Sequence, residues 1–197
     1  MYLHLNLNAL NKFAVVFALL GVSGTTAFAY PDSEYSRVQT PQERQVDGIR
    51  REELKAIREA LSLRSPQNRQ AELYYRLAEL YLESYRADFL IEGRIHEGRV
   101  QSNPQAKLER MRSRADLQNG VEAARKVLGL ATDFKKLDKV YYFLAYNYGE
   151  LGDSSQSIFY YKQLAEKFPN SPYVAEGYRE LAEDAFKRGE FDRALVY

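Results

Sequence analysis

The sequence predicts an all-α protein: an α-solenoid of stacked helix–turn–helix repeats that carries one long helical insertion. Three observations lead there. Apolar residues recur at helical spacing between charged ones, as at Val46, Ile49, Leu54, Ile57 and Leu61. Helix starts and stops are punctuated by capping residues, prolines and glycines. A motif of Tyr, Leu, Ala and Tyr returns along the chain. No stretch alternates apolar and polar residues between turn signals, so nothing reads as a strand.

The elements follow in order. Residues 13–22, FAVVFALLGV, form an apolar run of ten preceded by Lys12 and followed by Ala27-Phe28-Ala29. Small residues at the −3 and −1 positions fit signal peptidase, so residues 1–29 are expected to be a signal peptide cleaved after Ala29. Ten apolar residues rise about 15 Å as a helix, roughly half a bilayer core. Export to the periplasm is the expected destination, with an uncleaved N-terminal anchor as the alternative. Residues 30–64 form an N-terminal region whose helix opens on Thr40-Pro41-Gln42-Glu43. That spacing is a capping box, with Thr40 accepting from the Glu43 N–H and the Glu43 carboxylate returning to the Thr40 N–H. Ser65-Pro66 and Asn103-Pro104 repeat the start signal. Gly152 and Gly189 stand where helix ends take a left-handed residue.

The repeat organises residues 65–197. Tyr74, Leu77, Ala78 and Tyr81 align with Tyr141, Leu144, Ala145 and Tyr148, and then with Tyr178, Leu181, Ala182 and Ala185. The second and third copies lie 37 residues apart, and Gly152 and Ser157 fall on Gly189 and Ala194 at the same offset. Tyr, Leu and Tyr at i, i+3 and i+7 make one apolar stripe, and the Ala lets a second helix approach closely. Pro169 stops the second helix of the middle copy.

These residues resemble the tetratricopeptide repeat family, in which an aromatic, Leu, a small residue, Tyr, Gly, Ala, an aromatic and Pro recur along a helix–turn–helix unit. Tyr141, Leu144, Ala145, Tyr148, Gly152, Ser157, Tyr161 and Pro169 match in that order over 138–171. The match continues over 175–197, where the last unit is incomplete, and is partial earlier. The spacing of 37 departs from the family's 34, and Ser154 replaces the usual turn aromatic, which Phe191 supplies in the next copy. The stretch Phe168-Pro169-Asn170-Ser171-Pro172-Tyr173 is similar to repeats of bacterial cell-envelope proteins such as the Tol-Pal system coordinators. The absence of Cys argues against an outer-membrane assembly lipoprotein.

The first two copies are 67 residues apart, which suggests a first repeat split by an insertion over 82–118. Val121, Ala123, Ala124, Val127 and Leu128 have the pattern of its second helix. The insertion mixes Arg86, Arg94, Arg99 and Arg114 with Asp88, Glu92, Glu97 and Asp116. Two long projecting helices broken at Gly98–Pro104 would accommodate it, either as a solvated pair, as a docking arm or as a contact to an anionic envelope surface. Membrane contact is left open. Because Tyr197 falls inside a second helix, the expectation is a fragment of a longer array, or an open end that packs on a partner or a second copy.

The resemblance implies that the inner face of each first helix lines a concave groove for peptides. By position, that face holds Tyr75, Glu79 and Leu82, then Tyr142, Tyr146 and Glu150, then Arg179, Glu183 and Phe186. Tyr142 and Tyr146 are one turn apart and off the core stripe, so they are placed to stack. The competing reading makes these tyrosines ordinary helix-packing residues.

Little chemistry is available. The chain has no Cys, which excludes disulfides, thiolate metal sites and cysteine nucleophiles, and its two histidines, His4 and His96, cannot build a multi-histidine site. Lys+Arg number 28 against Asp+Glu 27, and Lys12 is the only charge before Ala29. The remainder is balanced, against nucleic-acid binding by bulk phosphate attraction. No phosphate-cradling Gly loop and no Ser with a histidine base occur. The expectation is a protein that is not an enzyme and needs no cofactor or metal. It would be an exported scaffold binding protein partners of an envelope complex. The alternative is a cell-wall glycan-binding or hydrolase-accessory subunit.

Overall fold

The structure is a computed structural model and describes residues 38–102, 112–130 and 133–197. Residues 1–29, expected to be a signal peptide cleaved after Ala29, with Ala27 and Ala29 at its end, and the Asn103-Pro104 start signal lie outside the described residues. Within them the chain is all-helical, without a strand. Seven helices occur in order: α1 (Pro41–Ser62), α2 (Gln67–Ser102), α3 (Arg112–Leu130), α4 (Leu137–Glu150), α5 (Ser154–Lys167), α6 (Val174–Lys187) and α7 (Phe191–Val196). Each packs chiefly on its neighbours in sequence.

Local chemistry sets the ends. Thr40 Oγ1 accepts from the Glu43 N–H at 3.2 Å and the Thr40 N–H donates to Glu43 Oε2 at 2.8 Å, closing the capping box with Pro41 in the first turn. After α4, Gly152 adopts φ +83°; its N–H donates to the Gly149 carbonyl and the Asp153 N–H to the Tyr148 carbonyl, both at 2.9 Å. Gly189 does the same after α6 at φ +76°, with bonds to Phe186 and Ala185. These pairs of bonds satisfy carbonyls that a helix end otherwise leaves open. Asp153 then caps α5 by accepting from the Gln156 N–H at 3.1 Å. At the Ser65-Pro66 signal the helix starts one residue beyond the proline. The Pro66 carbonyl takes the first bond, from Gln70, while the Ser65 hydroxyl is buried without a partner.

Contacts run in opposite directions along successive helices. On α2 and α3, Glu92 meets Ser113, Ser84 meets Asp116, and Tyr81 meets Gly120. On α4 and α5, Gly149 approaches Ser157 while Tyr141 reaches Lys167. On α6 and α7, Phe186 packs on Phe191 and Tyr178 on Tyr197. The helices therefore form antiparallel pairs. α4 and α6 both have 14 residues, and they begin at 137 and 174, 37 apart; α5 and α7 begin at 154 and 191, again 37 apart.

One hydrophobic core runs from α1 to α6, through Leu54, Ile57, Leu77, Leu80, Val127, Leu144, Leu164 and Leu181. Ala78, Leu144 and Ala145 are buried in it; Tyr74, Tyr141 and Tyr148 pack on it half-buried. Ala182 and Ala194 are half-buried. The small residues matter at helix crossings. A Cβ on Gly120 would sit 3.3 Å from Tyr81 Cβ, and one on Gly177 would sit 3.5 Å from the Tyr161 ring.

The break expected over Gly98–Pro104 falls late in that range: α2 ends at Ser102 and α3 begins at Arg112. α2 runs through Gly93 and Gly98 to Ser102, because the second half of the helix is held from outside. Ile91 and Ile95 form a second small core with Val38. Arg94 bonds both carboxylate oxygens of Glu43 at 3.0 Å. Glu92, fully buried, accepts from the Ser113 N–H at 3.0 Å and from its hydroxyl at 2.5 Å. It thereby satisfies an open donor in the first turn of α3. Such packing outweighs the roughly 1 kcal/mol cost of a helical glycine.

Candidate functional site

α2 and α4 lie side by side, and two adjoining recesses of about 520 and 470 Å³ run along their shared face. Both are lined by Tyr75, Arg76 and Glu79, so they form one groove. Toward one end it is closed by Phe134, Lys135 and Lys136 of the α3–α4 connection. Toward the other it is lined by Leu82, Arg86, Tyr142, Tyr146 and Tyr173.

The helical repeat explains the placement. Tyr75, Glu79, Leu82 and Arg86 are spaced four, three and four residues apart, so they share one face of α2. Lys139, Tyr142 and Tyr146 do the same on α4. The floor is aromatic. Tyr142 stacks on Tyr173 with ring centroids 4.8 Å apart and planes 17° apart, and its ring lies 6.2 Å from that of Tyr146. Tyr75 is buried against Phe134, 5.4 Å away, with the Lys136 ammonium 4.7 Å from its ring centre. Tyr146 is 41% exposed and gives the groove its open aromatic surface.

Charge is organised around Arg76 and Lys139. Arg76 holds Glu53 through two bonds, at 2.7 and 2.9 Å, and pairs with Glu83 at 3.3 Å. Lys139 bonds Glu79 at 3.1 Å. Burial alone would raise the Glu79 carboxyl. The Tyr75 hydroxyl and the Lys139 ammonium beside it outweigh burial and hold it below the usual carboxylate range. Burial pushes the Tyr75 phenol up to about 12. Its hydroxyl lies near Lys139 and Glu79 but forms no hydrogen bond of normal geometry.

Of the nine positions assigned to a groove from the sequence, Tyr75, Glu79, Leu82, Tyr142 and Tyr146 come together here. Glu150 sits beyond the groove's end, where it accepts from the Tyr85 hydroxyl at 3.0 Å. Arg179, Glu183 and Phe186 are exposed on α6 and do not line it. Arg179 is engaged with Glu176, Glu180 and Glu183 along its own helix. The α3–α4 connection and Tyr173 were not assigned to a site from the sequence. Their signal is the cluster Phe134-Lys135-Lys136 immediately before the Tyr-rich helix, and an aromatic closing the Asn170-Ser171-Pro172 turn.

No group of three or more His, Asp or Glu residues suited to a metal occurs among the described residues. Among them, too, no helix is long and apolar enough to cross a membrane. No protein-family model and no curated protein matches this sequence.

Proposed function

We propose that the chain is a tetratricopeptide-type scaffold, an α-solenoid exported to the periplasm, that holds protein partners of a cell-envelope complex. Its binding face would be the groove between α2 and α4. The observation that supports this best is the groove itself: a half-open trough whose walls present Tyr75, Tyr142, Tyr146, Tyr173 and Leu82. Tyrosine supplies rigid apolar area with a polar tip and loses little side-chain entropy on binding, which suits it to anchor a peptide. The 37-residue recurrence of helix boundaries, with left-handed glycines at equivalent ends, supports the repeat assignment.

Export is tested by N-terminal sequencing of the mature protein. A start at Tyr30 agrees with cleavage after Ala29, and a retained Met1 contradicts it. The groove is tested with Tyr146→Glu, a change at an exposed position, by comparing co-purification of envelope proteins and sedimentation with cell-wall glycan. Loss of the protein partners with an unchanged denaturation midpoint supports the scaffold. Loss of glycan sedimentation with the partners retained supports a glycan-binding subunit instead.

A further inference from the structure

The charges along the groove are not equivalent. Its glutamates are engaged in ion pairs: Glu79 with Lys139 at 3.1 Å, Glu83 with Arg76 at 3.3 Å, and Glu72 with Arg69 at 3.4 Å. Three lining cations, Arg86, Lys135 and Lys136, form no ion pair with any described carboxylate. They stand at opposite ends. Lys136 and Lys135 stand at the Tyr75 end, beside the exposed Asp133 and the ion-paired Glu72 and Glu79, while Arg86 lies eleven residues beyond Tyr75 along α2. At 1.5 Å per helical residue that separation is about 16 Å. Between the two ends lie Leu82, Tyr142 and Tyr146.

We propose that the groove takes an extended peptide segment of a partner protein that carries two acidic residues about five positions apart, with an apolar or aromatic side chain between them. The spacing follows from the geometry, since an extended chain advances about 3.3 Å per residue. One carboxylate would meet Lys136 and Lys135, the other Arg86, and the central side chain would lie on Tyr146 and Leu82. Like-charged segments would be repelled at both ends, so the cations set specificity as much as affinity. This inference rests on the groove being the partner-binding face.

The test uses the mature chain and two fluorescent ten-residue peptides, acetylated and amidated so that terminal charges do not contribute. One carries glutamates five positions apart flanking Tyr-Leu; the other has glutamine at both places. Anisotropy titration is expected to give at least tenfold tighter binding of the acidic peptide, declining with added salt. Arg86→Glu combined with Lys136→Glu, both at exposed positions, should abolish that preference, and a lysine-substituted peptide should then bind the variant. Equal binding of the glutamate and glutamine peptides overturns the charge inference, as does failure of both to bind. In either case the groove reading survives if Tyr146→Glu still releases the envelope partners. If Tyr146→Glu leaves partner capture intact, the groove reading itself fails.

Discussion

At the scale of single residues, backbone conformation and volume decide what each position tolerates. Gly152 has φ +83° and open space where a Cβ would point, so a substitution there meets conformational strain without a clash. Gly152→Ala should lower stability by about 1–2 kcal/mol. Gly48 also has open space but lies inside α1 in ordinary helical conformation. Gly48→Ala should therefore stabilise by about 0.5–1 kcal/mol. Urea midpoints of the two variants check both, and shifts of the same sign would refute the conformational argument. Ala145 is fully buried in α4, and Ala145→Leu should cost about 1–3 kcal/mol by overpacking. Such positions were legible in the sequence because they depend on local chemistry. The Thr40–Glu43 capping box and the left-handed glycines need only neighbours a few residues away.

At the scale of elements, the α2–α3 hairpin shows where local reading stops. The break expected over Gly98–Pro104 comes only after Ser102, and α2 is a continuous helix of 36 residues that includes Gly98. What holds its second half comes from elsewhere in the chain: Glu43 on Arg94, Val38 on Ile91 and Ile95, and the first turn of α3 on Glu92. Sequence spacing does not display contacts separated by twenty to fifty residues. Glu92 ties the first turn of α3 to α2, and its removal strands the Ser113 N–H in a buried site. Glu92→Ala should cost about 2–3 kcal/mol, more than Glu92→Gln, which keeps one acceptor. Equal chemical denaturation midpoints for wild type and Glu92→Ala would show that the carboxylate does not anchor α3. The same element also joins the array. Tyr85 donates to Glu150, and Arg114 donates to the Leu151 carbonyl at 2.9 Å, fixing the hairpin against the end of α4.

At the scale of the whole molecule, the tyrosines tie stability to pH. Burial raises the phenols of Tyr75 and Tyr85 to about 12 and raises those of Tyr142, Tyr160 and Tyr161 as well. A phenol raised in the folded chain adds stability that is complete below its unfolded value of about 10. That contribution is lost as pH climbs through 10 to 12. Phenolate absorbance at 295 nm and helical circular dichroism should therefore change together across that window. Ionisation of all the tyrosines near pH 10 with the helices intact would mean these phenols are solvated. The groove was only half legible for a related reason. Helical offsets gather Tyr75, Glu79, Leu82, Tyr142 and Tyr146. The cations from the α3–α4 connection join them only when α2 and α4 lie side by side, and the same offsets carry Arg179, Glu183 and Phe186 onto an exposed part of α6.

The most direct measurement is site-specific photo-crosslinking in the living source cells, with a benzoylphenylalanine at position 146 in the groove and, separately, at position 55 on the exposed face of α1. The account predicts discrete protein adducts from position 146 and none from position 55. Adducts from position 55 with position 146 silent would contradict the assignment of this groove as the face that holds partners.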